Sequence, residues 1–217
     1  MRARLGRWHR LAAWIGGAQL LVWIGTGFAF SWFDFAAVRG TGDRAPPPAI
    51  EWHYVRVTPE AAAPGAHTIV LRPLVDRAVY VVDDERLIDA ADGKALSVDA
   101  ALAQAIARAA HVGTTAVRAV APATASDPDI ALPAWRVQLD DRAQTVVFVA
   151  QRTGEIIGWR NASWRRFDRL WSLHVLGYVS RDHPAHAAMR VVSALALAIA
   201  LTGVALLLGA RRRRPRA

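Results

Sequence analysis

Two uncharged apolar runs, LAAWIGGAQLLVWIGTGFAFSWF from Leu11 to Phe33 and VVSALALAIALTGVALLLG from Val191 to Gly209, set the frame of this chain of 217 residues. About 20 consecutive apolar residues match the hydrocarbon thickness of a bilayer, and within it a helix satisfies its own backbone. Both runs are therefore read as transmembrane helices. They account for a hydrophobic content of 53% and a mean hydropathy of +0.17, high for a chain that lives wholly in water. The first run follows a basic leader, as a secretory signal would. Its apolar part is longer than a signal's, carries Trp14, Trp23 and Trp32, and lacks a small-residue cleavage site near its end, so an uncleaved anchor is expected.

Charge sets the expected orientation. Four arginines (Arg2, Arg4, Arg7, Arg10) precede Leu11 and five (Arg211 to Arg214 and Arg216) follow Ala210, with no acidic residue beside them. These nine equal the formal net charge of +9, so the remaining basic and acidic residues balance. The isoelectric point near 11.3 then reflects tails held on the cytoplasmic side rather than a nucleic-acid-binding face, and no nucleic-acid partner is expected. Residues 1–10 and 210–217 are read as cytoplasmic tails, 11–33 and 191–209 as membrane helices, 34–163 as an extracytoplasmic domain, and 164–190 as an amphipathic juxtamembrane segment. The richness in alanine and arginine, with Lys94 as the sole lysine, points to a bacterium. The expectation is an inner-membrane protein with both termini inside, a periplasmic domain, and membrane lipid as a partner. With no cysteine in the chain, disulfide and thiol chemistry are excluded.

Between the membrane runs, a Gly- and Pro-rich linker (AAVRGTGDRAPPPAIE) leads into short runs rich in Val, Ile and Tyr. Strands are expected over 51–57, 67–74, 77–83 and 86–90. A helix is expected over Ser97 to Ala110, capped by Ser97, with Val98, Ala101, Leu102, Ala105, Ile106 and Ala109 on its apolar stripe. TAVRAVAP, AWRVQLD, QTVVFVAQ and IIGWR continue the strand pattern, the last two joined by the turn RTGE. This order predicts an α+β fold, an antiparallel sheet covered by a helix. A faint echo between YVVDDERLIDAADGKAL and VVFVAQRTGEIIGW suggests two related half-units.

Three pieces in this order, RWHRLAAWIGGAQLLVWIGTGFAFSWF, then LIDAADGKALSVDAALAQAIARAA with PAWRVQLDDRAQTVVFVAQRTGEIIGWR, then FDRLWSLHVLGYVSRDHPAH leading into ALTGVALLL, resemble the PepSY-associated transmembrane family. The resemblance implies a small PepSY-like α+β domain outside the cytoplasm, flanked by transmembrane helices. Longer relatives, usually with four membrane helices, are linked to reduction of iron–siderophore complexes through b-type haem held by membrane histidines, and others carry flavin reductase modules. Isolated PepSY units are associated with restraint of peptidases or with binding in the envelope. This chain differs from the long forms in having two membrane runs.

His174 is the leading candidate site residue. On a helix over 163–179, Trp164, Phe167, Trp171, His174 and Tyr178 share one face, expected to lie at the outer membrane surface. Two readings stay open: an interfacial side chain in an aromatic belt, or an axial ligand of haem b with Trp171 and Tyr178 lining its pocket. His9 shares a face of the first run with Gly16, Trp23 and Gly27. It is either a titratable residue of the leader or a second axial ligand, with Gly16 leaving space for a partner helix or a flat cofactor. The two histidines stand at opposite surfaces, so one chain cannot clamp one haem between them; a homodimer, or another membrane redox or envelope protein, would complete the pair. Asp182, His183 and His186 form a sparse candidate metal cluster, beside the reading that Asp182 or His183 with Pro184 starts the second membrane helix. His53, His67 and His111 are expected on the surface.

Catalytic signatures of hydrolases, P-loop proteins and dinucleotide-binding enzymes are missing from the sequence. The sequence therefore favours a membrane-anchored PepSY accessory or binding protein of the bacterial envelope that is not itself a hydrolase. A haem-binding component of transmembrane electron transfer for iron or siderophore reduction, and a peptidase-restraining module, are the alternatives.

Overall fold

The computed structural model describes residues 2–127, 130–177 and 183–211. The chain divides into two compact units, residues 1–33 with 166–217, and residues 34–165.

The first unit is built on helices α1 (Arg2–Phe30) and α6 (His183–Arg211), with most of α5 (Ala162–His174). The stretches Ala3–Phe30 and Ala187–Gly209 are long and apolar enough to cross a membrane. Helices α1 and α6 run antiparallel, because His9 near the start of α1 meets Thr202 late in α6 while Gly16 meets Leu195 and Ile199. Where a Gly16 side chain would begin, Leu195 Cδ2 and Ile199 Cδ1 stand 3.0 Å away. Apolar chains have no hydrophobic incentive to associate within lipid, so such close backbone approach supplies the contact.

Helix α5 departs from expectation in two ways. It ends at His174 rather than continuing to 179, because Leu176 adopts a left-handed φ of 56° and the Gly177 N–H turns back to the Ser172 carbonyl at 2.7 Å. Its aromatic face is also occupied from within: Phe167 and Trp171 pack against Phe30 with ring centroids 5.2 and 6.0 Å apart. Phe33 meets Phe167 edge-on. Part of that face thus packs on α1, while Trp171 keeps 46% of its surface exposed.

The second unit is α+β. After α2 (Phe35–Arg39) and the short α3 (Pro59–Ala62) come β1 (Ile69–Leu74), β2 (Arg77–Val82), β3 (Arg86–Asp89) and β4 (Ala95–Leu96), an antiparallel meander. Helix α4 (Ala100–Ala109) leads to a second meander of β5 (Val117–Pro122), β6 (Ala134–Leu139), β7 (Val146–Ala150) and β8 (Ile156–Arg160). Two four-stranded sheets therefore replace the one expected, each preceded by a helix. Val79, Val81 and Leu87 of the first sheet, Ile106 of α4, and Val137, Val147, Val149 and Trp159 of the second share one core. Alternate residues Tyr80, Val82 and Ile88 face a smaller cluster with Ala63. With both faces covered, β2 is buried along nearly its whole length.

Several local expectations are corrected. Residues 51–57 do not form a strand: Trp52–Tyr54 make a 3₁₀ turn, and Arg56 and Val57 donate to the Ala90 carbonyl instead of joining a ladder. Asp99, not Ser97, caps α4, accepting the Leu102 N–H at 2.8 Å. The helix consequently starts later, and its buried stripe is Ala103, Ile106 and Ala107. His111 is not a surface residue. It lies parallel to the Trp159 ring, its Nδ1 is 3.0 Å from Thr115 Oγ1 and its Nε2 is 3.7 Å from Asp141. Asn161 is 2% exposed; it caps α5 through the Trp164 N–H at 2.7 Å and donates to the Ala37 carbonyl at 2.8 Å.

Gly40 ends α2 at a φ of 64°, and a side chain there would drive into the Trp159 indole. Backbone strain and clash act together at this position. Gly40→Ala should destabilise this unit by more than about 1 kcal/mol, read as a lowered thermal midpoint of the near-ultraviolet dichroism of its tryptophans.

Candidate functional site

Helices α1, α5 and α6 bring both candidate histidines against threonine hydroxyls. His174, at the last turn of α5, places Nδ1 2.8 Å from Thr26 Oγ1 on α1. His9 on α1 places Nδ1 2.8 Å from Thr202 Oγ1 on α6. Each threonine also lies 2.7 Å from the carbonyl one helical turn behind it, that of Val22 for Thr26 and of Ala198 for Thr202.

These paired distances admit an arrangement with the imidazole proton on Nδ1. A hydroxyl has one proton, and the helical carbonyl can only accept. Both contacts are hydrogen bonds when the hydroxyl donates to the carbonyl and Nδ1–H donates to the hydroxyl. The neutral ring then carries its lone pair on Nε2, and neither Nε2 has a hydrogen-bond partner among the described residues. Each helix thus orients an imidazole by one nitrogen and leaves the other as a Lewis base.

The surroundings of the two rings differ. His174 is framed by Phe30 at 5.4 Å, edge-on, by Trp171 at 6.1 Å with planes 21° apart, and by Trp23 at 6.2 Å. Trp23 also donates its indole N–H to the His174 carbonyl at 2.5 Å, satisfying a backbone group at the helix end. Trp171 keeps 46% of its surface exposed beside the imidazole. His9 lies against Gly203, where an added side chain would begin 3.3 Å from Cε1 and 3.9 Å from Nε2. The space in front of Gly16 is taken by α6, so of its two expected uses the structure displays the partner helix.

The residues match a flat, apolar group with an imidazole-binding metal centre in three respects: an oriented ring, a free Nε2, and an exposed aromatic plane beside it. Tyr178 and Asp182 lie outside the described residues, as do the side chains of His183 and His186, whose backbones open α6. Among the described residues, no three His, Asp or Glu side chains converge as a metal site would require.

Thr26 and Thr202 are the histidine partners that sequence reasoning missed. Both stand in apolar runs and both precede glycine, in GTGFAF and LTGVAL. The signal was present as a polar hydroxyl inside each long apolar run, a placement that calls for a partner.

The family model of the PepSY-associated TM region matches residues 69–217, which include His174 and Thr202. The chain belongs to that family. It is a membrane-associated PepSY-domain protein, with the two antiparallel sheets as its α+β domain and two helices able to span a bilayer. Comparison with curated proteins and with solved structures finds no match. The matched region of this PepSY protein begins at β1, so His9 and Thr26 rest on geometry rather than on the family match.

With each hydroxyl donating to its helical carbonyl, nitrogen-15 resonance of the histidines is expected to give a pyrrole-type Nδ1 and a pyridine-type Nε2 for both His9 and His174. Thr26→Val should change the His174 pattern and leave His9 as it was; unchanged spectra would refute the hydrogen-bond assignment.

Proposed function

We propose that this PepSY protein is a haem-binding component of transmembrane electron transfer in the bacterial inner membrane, its domain periplasmic and its basic tails cytoplasmic. The observation that carries the reading is the pair of threonine-oriented imidazoles with free Nε2 atoms. An interhelical hydrogen bond within a membrane contributes only about 0.6–2 kcal/mol. Helix pairing alone would be served as well by Ser or Asn, which leave no strong Lewis base behind. The basic tails support the orientation through the positive-inside bias.

His174 would hold the haem through Nε2, with Trp171 and Phe30 as apolar walls, and His9 would do the same at the other end of α1. The haem, when bound, supplies one-electron chemistry. Thr26 fixes the His174 ring and raises its basicity by taking the Nδ1 proton into a hydrogen bond. Seventeen residues of helix separate His9 from Thr26, about 25 Å at a rise of about 1.5 Å per residue. Among the residues whose side chains are described, one chain offers a single imidazole at each level, and a second copy related by an axis along the membrane normal would supply the opposing one. Reduction of an iron or iron–siderophore substrate on the periplasmic side is the activity that such a component would serve.

Protein expressed with ample haem and purified in detergent should show a Soret band and, on reduction with dithionite, sharp α and β bands. His174→Ala should lose them. Thr26→Val should retain the bands while weakening haem affinity by roughly 10- to 100-fold, the usual cost of losing an orienting partner. A flat wild-type spectrum would refute the proposal and leave the His–Thr pairs as helix-pairing contacts.

A further inference from the structure

The domain also carries a cluster of cations, unrelated to the histidines. Arg39, Arg44 and Arg160 line one cleft of about 260 Å³, together with Trp164 and the stretch of the outer strand β8 from Ile156 to Trp159. No carboxylate lines this cleft. Among the described residues, none of the ion pairs involves Arg39 or Arg44. Like charges gathered in one cleft repel one another, a cost that an anion seated among them removes.

Local structure builds the cleft. Arg39 is the last residue of α2, and Gly40, at a φ of 64°, turns the chain close over the Trp159 indole. Arg44 then returns to that ring, its guanidinium carbon 5.0 Å from the centroid, and donates one N–H to the Arg39 carbonyl at 3.1 Å. The Arg160 guanidinium lies 4.1 Å over Trp164. Asn161 ties the two sides together by donating to the Ala37 carbonyl. Stacking on an indole fixes a guanidinium without consuming its in-plane N–H donors, and such a fork matches the oxygens of a phosphate.

The place of these residues in the chain specifies the source of that phosphate. Arg39 comes nine residues after α1 ends at Phe30, and α1 is able to span a bilayer. Arg160 comes five residues before Arg165, where the chain leaves this unit for the membrane unit. A cleft on so short a tether meets lipid headgroups at a far higher effective concentration than a dilute soluble anion. We propose that it binds the phosphate of an anionic phospholipid headgroup. Arg39 and Arg44 donate charge-assisted hydrogen bonds to the phosphate oxygens, Arg160 adds its charge, and Trp159 and Trp164 hold the guanidiniums of Arg44 and Arg160 in place. This inference stands independently of haem binding.

The test uses the full chain in a neutral detergent, with phosphatidylglycerol as probe, phosphatidylcholine as the zwitterionic comparison and glycerol phosphate as the soluble one. On the wild-type chain, phosphatidylglycerol should slow amide exchange over residues 39–44 and in β8, and neither comparison should do so at the same concentration. Reading protection at these segments leaves out lipid held by the basic tails. In a variant combining Arg39→Gln and Arg44→Gln, the half-protecting concentration should rise about 30-fold, a factor of about five for each arginine beside a headgroup. Arg86→Gln with Arg118→Gln, the same change of charge at exposed strand positions, should leave it unchanged. Absence of protection, equal protection by phosphatidylcholine, or an equal rise in both variants would each overturn the proposal. Protection by glycerol phosphate would assign the cleft to a soluble anion and overturn the lipid source. Because the three probes are compared on the wild-type chain, a folding defect in a variant cannot decide the outcome.

Discussion

The antiparallel pairing of α1 with α6 is the contact on which the rest of the membrane unit depends. The chain leaves this pair after Phe30 and returns to it through α5, so the two helices must find each other across more than a hundred intervening residues. Within lipid the pairing cannot draw on the hydrophobic effect, and it rests on packing where the backbones come close, at Gly16 against Leu195 and Ile199. The register set there decides which polar groups meet. His9 faces Thr202 because Gly16 faces Leu195, the offsets along the two helices being equal and opposite within a turn.

From the His–Thr contacts follows the chemistry of the rings. A threonine in a membrane helix normally donates to its own i−4 carbonyl, and both Thr26 and Thr202 do so. With that proton on the backbone carbonyl, each hydroxyl accepts from the histidine Nδ1–H, so the same parts orient an imidazole on a different helix twice. A His–Thr contact of the same kind orients His111, whose Nδ1 is 3.0 Å from Thr115 Oγ1, whereas His53 and His67 lie exposed.

Much of this architecture could be read from the amino-acid sequence, and what could not has physical causes. The membrane helices were legible because length and absence of charge suffice there. Most strands were legible because alternation survives wherever a sheet has a covered face, as in β1 to β3 and β6 to β8. Residues 51–57 carry the same Val and Tyr content, yet they have no neighbouring strand to pair with and fold over Tyr80, whose hydroxyl donates to the Val57 carbonyl at 2.7 Å. Strand propensity describes a side chain that fits a half-buried surface, not a backbone that has found a partner. Ser97 and Asp99 are both able caps, and only the packing of Ile106 and Ala107 selects the later one. His111 looked solitary because its partners Thr115, Asp141 and Trp159 come from other turns and strands. His174 and His9 were found as candidates, but their threonines were hidden inside runs judged only for lack of charge.

The reciprocity of the two pairs has a mechanical consequence. Each half of the unit contributes one histidine and one Thr-Gly step, and each histidine is held by the other half: His9 by Thr202, His174 by Thr26. A slide of α6 by a single turn, about 5.4 Å, would carry Thr202 away from His9. His174 answers to a different packing, that of α5 against α1, since its Nδ1 meets Thr26 on α1 and no residue of α6. The α1–α6 register therefore sets the orientation of His9, and the return of α5 to α1 sets that of His174.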